Sequence, residues 1–115
     1  MIDVQGAGDG AVIEWAPFRL AAHATEAQLL AASDALQREF LVRQPGFVRR
    51  ELLKGADGQW ADFVVWRDGA AATAAMQAVA ASPVCLAYFH LMEGGDDMSA
   101  ETGVQHLRRV RTYPA

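Results

Sequence analysis

The chain has 115 residues, 52% of them hydrophobic, and a formal net charge of −4 at pH 7. This length and apolar fraction predict one compact domain with a buried core and argue against a second domain. A net negative charge argues against a basic surface for nucleic acid, so we expect no nucleic-acid partner. The single cysteine, Cys85, excludes an internal disulfide and a metal site built from several cysteines.

The sequence shows no segment that would direct the chain to a membrane. No apolar run approaches the length of about 18 residues that a spanning helix needs, and no charged-then-apolar leader opens the chain. We therefore expect no membrane partner and a cytoplasmic protein. Residues 1–10 contain three glycines and two aspartates, which predicts a flexible N-terminal arm followed by a single domain at 11–115.

The first predicted elements are a strand and a helix. β-branched and aromatic residues dominate 12–20, and large apolar groups occupy both alternating faces, which predicts a strand with no fully wet side. Thr25 and Gln28 match a capping box, and apolar residues then recur at three- and four-residue steps. An amphipathic helix is therefore predicted from Thr25 to about Gln44. Pro45-Gly46 ends this helix, because proline cannot continue it.

A β-hairpin is the strongest local prediction. Two extended runs, Phe47–Lys54 and Gln59–Trp66, flank a turn at Gly55-Ala56-Asp57-Gly58. An Asp-Gly pair tolerates the positive φ angles that hairpin turns need. We therefore expect these two runs to pair as neighbouring antiparallel strands.

The second half of the chain predicts two helices and a last strand. Asp68 can cap an alanine-rich helix that extends through Ala81, and Ser82-Pro83 predicts the start of a short helix at 84 to about 92. Alternating residues at 103–113 predict the last strand. The order is β-α-β-β-α-(short α)-β. It predicts an α+β, ferredoxin-like β-α-β-β-α-β fold with a four-stranded antiparallel sheet and helices on one face.

The face of this sheet that no helix covers is expected to carry aromatic residues. An exposed apolar patch of several hundred Å² usually marks an interface. A twofold dimer that packs two such faces together would bury the patch, so we expect a homodimer. Depending on the register, the patch holds Trp15 or Phe18, Trp60 or Phe63, and Trp66 or Val65.

These features together resemble a known family. The element order, the Pro45-Gly46-Phe47 segment, the Asp57-Gly58 turn and a strand that ends in Trp66 resemble the dimeric α+β barrel proteins. Within them, the chain is most similar to the antibiotic-biosynthesis monooxygenase-like family, over about residues 12–112. The resemblance implies a dimeric α+β barrel. It also implies a monooxygenase that uses no cofactor and acts on hydroxylated aromatic or polyketide-like compounds.

The resemblance carries over to individual residues only in part. Quinone-forming members of the family have a tryptophan at the end of the third strand, an asparagine four residues earlier, a tyrosine six residues later and an arginine on the next helical stretch. This chain has Trp66, Asp62 and Ala72 at the first three positions and no arginine on the two predicted helices. Haem-degrading members use a tryptophan on the second helix and a histidine on the next helical stretch as iron ligand. His90 lies near the position of that histidine, but this chain has no tryptophan after Trp66.

Asp62 is the first candidate catalytic residue. It shares a strand face with two tryptophans, Trp60 and Trp66, because side chains alternate along a strand. A carboxylate between two indole rings should have a raised pKa, which a general base near neutral pH requires. The alternative is a salt bridge between Asp62 and Arg49 or Arg50 of the paired strand.

His90 is the second candidate catalytic residue, because histidine titrates near neutral pH and the third helix is expected to roof the space between sheet and helices. The alternative is a partly exposed helical histidine. His106 is expected at a cross-strand or dimer contact, and His23 in a solvated loop. The three histidines show no HxxxH or HxH spacing, so we expect no protein-built metal site.

Trp66, Trp60, Tyr88 and Met76 are the candidate substrate-binding residues. Trp66 would form a pocket wall that stacks on a flat aromatic ligand, with its indole N–H free to bond that ligand. The alternative is a core tryptophan at the strand–helix junction. The other three lie on the same strand face, on the third helix and on the second helix, respectively.

Two functions fit these residues. In the first, a small-molecule enzyme, Trp66 positions an aromatic ring and His90 or Asp62 takes a phenolic proton, so that the electron-rich anion can react with oxygen. In the second, a non-catalytic ligand-binding or regulatory protein keeps the dimeric barrel and its apolar pocket. Retention of Trp66 with loss of the other polar residues favours the second. In both, a small aromatic compound is the expected ligand.

Overall fold

The structure, a computed structural model, describes residues 10–97 and 103–115. The arm predicted at 1–10 lies outside the described residues except for Gly10. The elements follow the predicted β-α-β-β-α-β order, with a short additional helix before the last strand. They are β1 (Val12–Arg19), α1 (Glu26–Glu39), β2 (Phe47–Lys54), β3 (Gln59–Trp66), α2 (Gly69–Val79), α3 (Pro83–His90) and β4 (Gln105–Arg108).

The four strands form one antiparallel sheet in the order β2-β3-β1-β4. This is the strand order of a ferredoxin-like sheet, so the predicted fold class is confirmed. β1 and β3 pair along their whole length, with Val12 opposite Trp66 and Phe18 opposite Trp60. Helices cover one face of the sheet, where Leu29, Leu36 and residues of α2 and α3 join the strands in one buried cluster.

The local signals of the sequence explain the element boundaries. The hydroxyl of Thr25 caps α1 by accepting from the backbone N–H of Gln28. The side-chain Oε1 of Gln28 accepts in turn from the backbone N–H of Thr25 at 2.9 Å, which completes the capping box. The hairpin turn places Asp57 at φ 57° and Gly58 at φ 76°, which confirms the Asp-Gly prediction. α1 ends at Glu39, earlier than predicted, and a single 3-10 turn continues the chain toward Pro45.

Gly46 shows why the Pro-Gly segment stands between α1 and β2. Its φ is 82°, a left-handed conformation that glycine adopts without a steric penalty. A Cβ at this position would lie 2.5 Å from the Cβ of Ala71 on α2. The turn thus lets β2 start directly beneath the first turn of α2.

The prediction of a last strand at 103–113 is wrong beyond Arg108. β4 contains only Gln105–Arg108, because its partner β1 begins at Val12, which lies opposite Arg108. One further backbone bond joins Arg109 to Ala11. Val110 and Tyr113, which continued the alternating pattern, are 73% and 79% exposed.

The register assigns the aromatic residues to the two faces of the sheet. Phe18, Trp60 and Trp66 face the helices. The opposite face, called the open face below, carries Ile13, Trp15, Pro17, Arg49, Glu51, Leu53, Phe63, Val65 and Leu107. On it, the guanidinium of Arg49 lies 5.5 Å from the centre of the Phe63 ring and pairs with Glu51.

Among the described residues, no single helix is long and apolar enough to cross a membrane. α2 and α3 reach that length and apolarity only when counted together, and they are bent by 82° at the break between them.

Candidate functional site

A cavity of about 630 Å³ lies between the helix-covered face of the sheet and the helices. Its volume is typical of small-molecule sites, which occupy about 300–1,000 Å³ and have mostly apolar walls with a few polar groups. The strands contribute Glu14, Asp62 and Trp66 to its lining, and the helices contribute Met76 and Tyr88. The site is therefore built where β1 and β3 face α2 and α3.

A buried hydrogen-bonded cluster joins Arg50, Asp62, Tyr88 and Ser33. The Nε of Arg50 donates to Oδ1 of Asp62 at 2.8 Å, and the hydroxyl of Tyr88 donates to Oδ2 at 2.8 Å. The Nη2 of Arg50 donates to Oγ of Ser33 at 2.7 Å and to the Tyr88 hydroxyl at 3.1 Å. Both carboxylate oxygens of Asp62 are therefore engaged by donors of the protein itself.

Tyr88 acts in this cluster as a neutral hydroxyl. Burial and the neighbouring Asp62 carboxylate raise the pKa of Tyr88 well above its ordinary value, and the Arg50 charge only partly offsets them. The hydroxyl therefore stays protonated and donates a hydrogen bond to Asp62. Arg50, Asp62 and Tyr88 together form a closed polar network at one wall of the cavity.

A second polar cluster joins Glu14, Trp66 and His106 across three strands. The indole Nε1 of Trp66 donates to Oε1 of Glu14 at 3.2 Å. The Nε2 of His106 lies 3.5 Å from the same oxygen, because β1 and β4 place Glu14 and His106 directly opposite each other. Burial raises the pKa of Glu14, whereas the Trp66 hydrogen bond and the charge of His106 act in the opposite direction.

The comparisons with known proteins find similarity of structure. No family model matches the sequence, and no curated protein matches it. SnoaB from Streptomyces nogalater, described as a cofactor-independent oxygenase, is 23% identical, with a TM-score of 0.71 over 92% of this chain and 99% of that one. A Bordetella bronchiseptica protein assigned to the antibiotic biosynthesis monooxygenases is 16% identical, with a TM-score of 0.68 over 90% of this chain and 100% of that one. A Jannaschia protein of unknown function, described as dimeric and ferredoxin-like, is 14% identical, with a TM-score of 0.60 over 87% of this chain and 100% of that one.

This chain has the fold of the antibiotic-biosynthesis monooxygenase-like proteins. The resemblance predicted from the element order, the Pro-Gly-Phe segment, the Asp-Gly turn and Trp66 is confirmed at the level of the fold. A fold hosts many chemistries, so the activity must be argued from the residues of the cavity.

Three of the four predicted substrate-binding residues line the cavity of this monooxygenase-like fold: Trp66, Tyr88 and Met76. Trp60 is buried beside them and stacks on Phe18, with 6.4 Å between the ring centres. The indole N–H of Trp66 was predicted to be free for a ligand, but it donates to Glu14. Trp66 therefore borders the cavity through its ring, and its N–H is already engaged.

The two predicted catalytic residues occupy different surroundings. Asp62 lines the cavity and makes the predicted alternative contact, a salt bridge, with Arg50. His90 is not among the residues that line the cavity; its side chain is 58% exposed, and its Nδ1 lies 2.9 Å from Asp96. Residues two positions apart on a helix do not share a face, so turning Tyr88 inward turns His90 outward. The ring of His23 lies 4.8 Å from that of His90.

Sequence reasoning missed Glu14 as a site residue. It is the one acidic residue of β1, on the same face as Val12 and Phe18, and an acidic residue on an apolar strand face was the available signal. Within 10–97 and 103–115, no group of three or more His, Cys, Asp or Glu side chains is arranged to hold a metal ion.

Proposed function

We propose that the protein is a small-molecule enzyme of the cofactor-independent monooxygenase kind, which binds a hydroxylated aromatic compound in the cavity. The observation that carries this proposal is a cavity of about 630 Å³ with apolar walls, on which a tryptophan and two polar clusters converge. Such a combination is the usual architecture of a small-molecule site. The description of SnoaB as a cofactor-independent oxygenase supports the same class of reaction.

Trp66 positions the aromatic ring in this proposal. Its side chain is 2% exposed, and its N–H is held by Glu14, so the orientation of the indole is fixed before a ligand binds. A ligand ring can then meet the indole edge-on where Trp66 borders the cavity, an arrangement that contributes about 0.5–1.5 kcal/mol beyond the area buried. Met76 and the aliphatic residues of α2 close the other side of the cavity.

The proposed oxidation needs no external reductant. When a phenol becomes a quinone, the hydroxyl hydrogen and one ring hydrogen leave with one atom of O₂ as water, and the other oxygen atom becomes the new carbonyl. The substrate supplies all four electrons that reduce O₂. The protein must bind the phenol, exclude bulk water and remove the hydroxyl proton so that the electron-rich anion reacts.

A non-catalytic ligand-binding protein is the second candidate function. The engagement of both Asp62 oxygens by Arg50 and Tyr88 favours it, because a carboxylate held in this way offers no free oxygen to a substrate proton. The two candidates share a ligand and differ in turnover. Oxygen uptake with a bound phenol therefore separates them.

The binding part of the proposal is tested by filling the cavity. Ala75 on α2 is 3% exposed and lines the cavity, whereas Ala74 on the same helix is exposed. A polycyclic phenol at 100 times its dissociation constant should stabilise the wild-type protein by about 2.7 kcal/mol, visible as a shift in Tm of several degrees. We expect Ala75→Phe to abolish this shift and Ala74→Phe to retain it. Equal shifts in both variants would place the ligand elsewhere.

The proposed enzyme is a homodimer that joins through the open face. Leu53 and Leu107 on this face are 38% and 50% exposed in the single chain. The Nε of Arg49 is buried there without a hydrogen-bond partner among the described residues, and an acceptor from a second copy would satisfy it. The description of the Jannaschia protein as dimeric supports this arrangement.

A further inference from the structure

A carboxylate–imidazole pair lies in the wall between the cavity and the protein surface. Glu14 lines the cavity. His106 lines a second hollow of about 450 Å³, open to solvent, between β1, β4 and α2. The Nε2 of His106 lies 3.5 Å from Oε1 of Glu14, so the pair connects the two spaces through side chains in contact.

The two members of the pair differ in their access to water. The side chain of Glu14 is 17% exposed and that of His106 is 37% exposed. The indole of Trp66 donates to Oε1 of Glu14, and the imidazole of His106 lies next to the same oxygen. Neither of these two side chains contacts Oε2. Within residues 10–97 and 103–115, these contacts both fall on Oε1, so Oε2 is the oxygen that a ligand in the cavity would meet.

The groups around Glu14 act on its pKa in opposite directions, and burial is the largest influence. From β4 it faces His106, and from β3 it faces the Trp66 N–H and, farther away, the Asp62 carboxylate. The charge of Asp62 is compensated by Arg50, and α2 contributes the uncharged Met76 to the shared wall. Burial raises the pKa of Glu14, which brings a carboxylate closer to the range where a general base is effective.

We propose that Glu14 is the base that takes the hydroxyl proton of a hydroxyaromatic ligand in the cavity, and that His106 exchanges this proton with water through the outer hollow. This inference rests on the proposed function for the class of ligand. The ligand O–H bond breaks and its electron pair stays on oxygen as a phenolate. The proton binds Glu14 and passes to Nε2 of His106 when that nitrogen holds a lone pair. The imidazolium that forms releases a proton from Nδ1 to water, and Glu14 is again a carboxylate without any redox change.

Three other polar side chains of the cavity, Asp62, Tyr88 and Arg50, are less suited to this role. Asp62 accepts from Arg50 and Tyr88 through its two oxygens. The Tyr88 hydroxyl holds its proton because burial and the Asp62 charge raise its pKa. Arg50 cannot act as a base, since a guanidinium keeps its proton in proteins. Of these four side chains, Glu14 is the one with a carboxylate oxygen that neither Trp66 nor His106 contacts and with a route for the proton to the outer hollow.

The test uses 4-nitro-1-naphthol, whose naphtholate absorbs in the visible range, bound to the protein without oxygen. In this proposal the hydroxyl of the probe and Glu14 share a proton. Two such groups titrate in two coupled steps that belong to both groups together. We expect the absorbance of the bound probe to change in two steps with pH in the wild-type protein. Glu14→Gln keeps the shape of the side chain and an acceptor for Trp66, and it should reduce the titration to one step. Glu39→Gln, which removes the same charge from the exposed end of α1, should retain both steps.

His106→Gln tests the second half of the proposal and leaves Glu14 in place. The charge of His106 lowers the pKa of Glu14, so its removal should move the Glu14 step to higher pH. A bound probe that titrates in the same way in wild type and Glu14→Gln would overturn the assignment of Glu14. An unmoved step in His106→Gln would overturn the role of His106.

The same experiment separates this inference from the proposed function. A probe that does not bind the wild-type protein would overturn both. A probe that binds and titrates in two steps, in a protein that takes up no oxygen with any phenol, would support Glu14 as a base and overturn the oxygenase. Oxygen uptake that persists unchanged in Glu14→Gln would overturn the base and leave the oxygenase standing.

Discussion

Replacing Arg50 with methionine should lower the free energy of unfolding by about 3–5 kcal/mol, because it removes one partner of a buried ion pair. The side chains of Arg50 and Asp62 are 5% and 9% exposed, so solvent screens their interaction little. Methionine fills part of the volume but leaves Asp62 with the bond from Tyr88 and deprives the Oγ and backbone oxygen of Ser33 of their donor. An unpaired carboxylate in a buried site is the main source of the loss.

Urea unfolding followed by circular dichroism, at one fixed protein concentration, measures this loss. Arg38→Met on the exposed side of α1 is the matched control and should change stability by less than about 0.5 kcal/mol. Adding Asp62→Asn to Arg50→Met should recover part of the loss, because the uncompensated charge is then gone. A cost below about 1 kcal/mol for Arg50→Met, the size of a solvent-exposed pair, would refute the buried network.

Three further outcomes are expected. Tyr88→Phe should cost about 1–3 kcal/mol in the same unfolding assay, since Asp62 loses a buried donor; no change would show that the hydroxyl bond is not formed. Leu53→Asp should convert a dimer of twice the 12.4 kDa chain mass into a monomer in solution mass measurements, whereas Leu30→Asp on the exposed side of α1 should not. Equal masses for the two variants would contradict the interface on the open face. Burial raises the pKa of Glu14 in the folded protein, so the folded state holds this proton to a higher pH than the unfolded chain does. Wild-type stability should therefore fall as pH rises above the pKa of a glutamate in the unfolded chain, about 4.3, and Glu14→Gln should flatten this fall in thermal unfolding. Parallel curves for the two proteins would contradict the burial of this carboxylate.

The fold was predictable because its signals are local. The capping box at Thr25 and the Asp57-Gly58 turn each act within a few residues, and the structure uses both as expected. Pro45-Gly46 follows α1, which ends earlier, at Glu39. The end of β4 was not predictable in this way. A strand extends only as far as its partner, and β1 begins at Val12.

A shift of one residue in strand register decides whether Arg49 or Arg50 forms the salt bridge with Asp62. A β-bulge between Phe47 and Arg49 places two steps of β2 against one step of β3. Strict alternation from Phe47 would turn Arg49 toward the helices, but the bulge turns Arg50 inward to Asp62. No pattern in the sequence marks this bulge, so both arginines remained candidates until the strands were paired.

The pairing of Glu14 with His106 has the same origin. These residues belong to the first and last strands, and only the register of the finished sheet brings them together. The position of His90 depends on packing in the same way. Its chemistry suits an acid–base role, but the face of a short, uniformly apolar helix that turns inward is set by packing, and α3 buries Tyr88 instead.

Oxygen uptake by the purified protein decides between an enzyme and a binding protein. A polycyclic phenol that stabilises the wild-type protein should be oxidised with consumption of one O₂ for each quinone formed, without added cofactor or reductant. Ala75→Phe should abolish the uptake, and Ala74→Phe should preserve it. Phenols that bind in the cavity but consume no oxygen would contradict the enzyme and establish the non-catalytic binding function in its place.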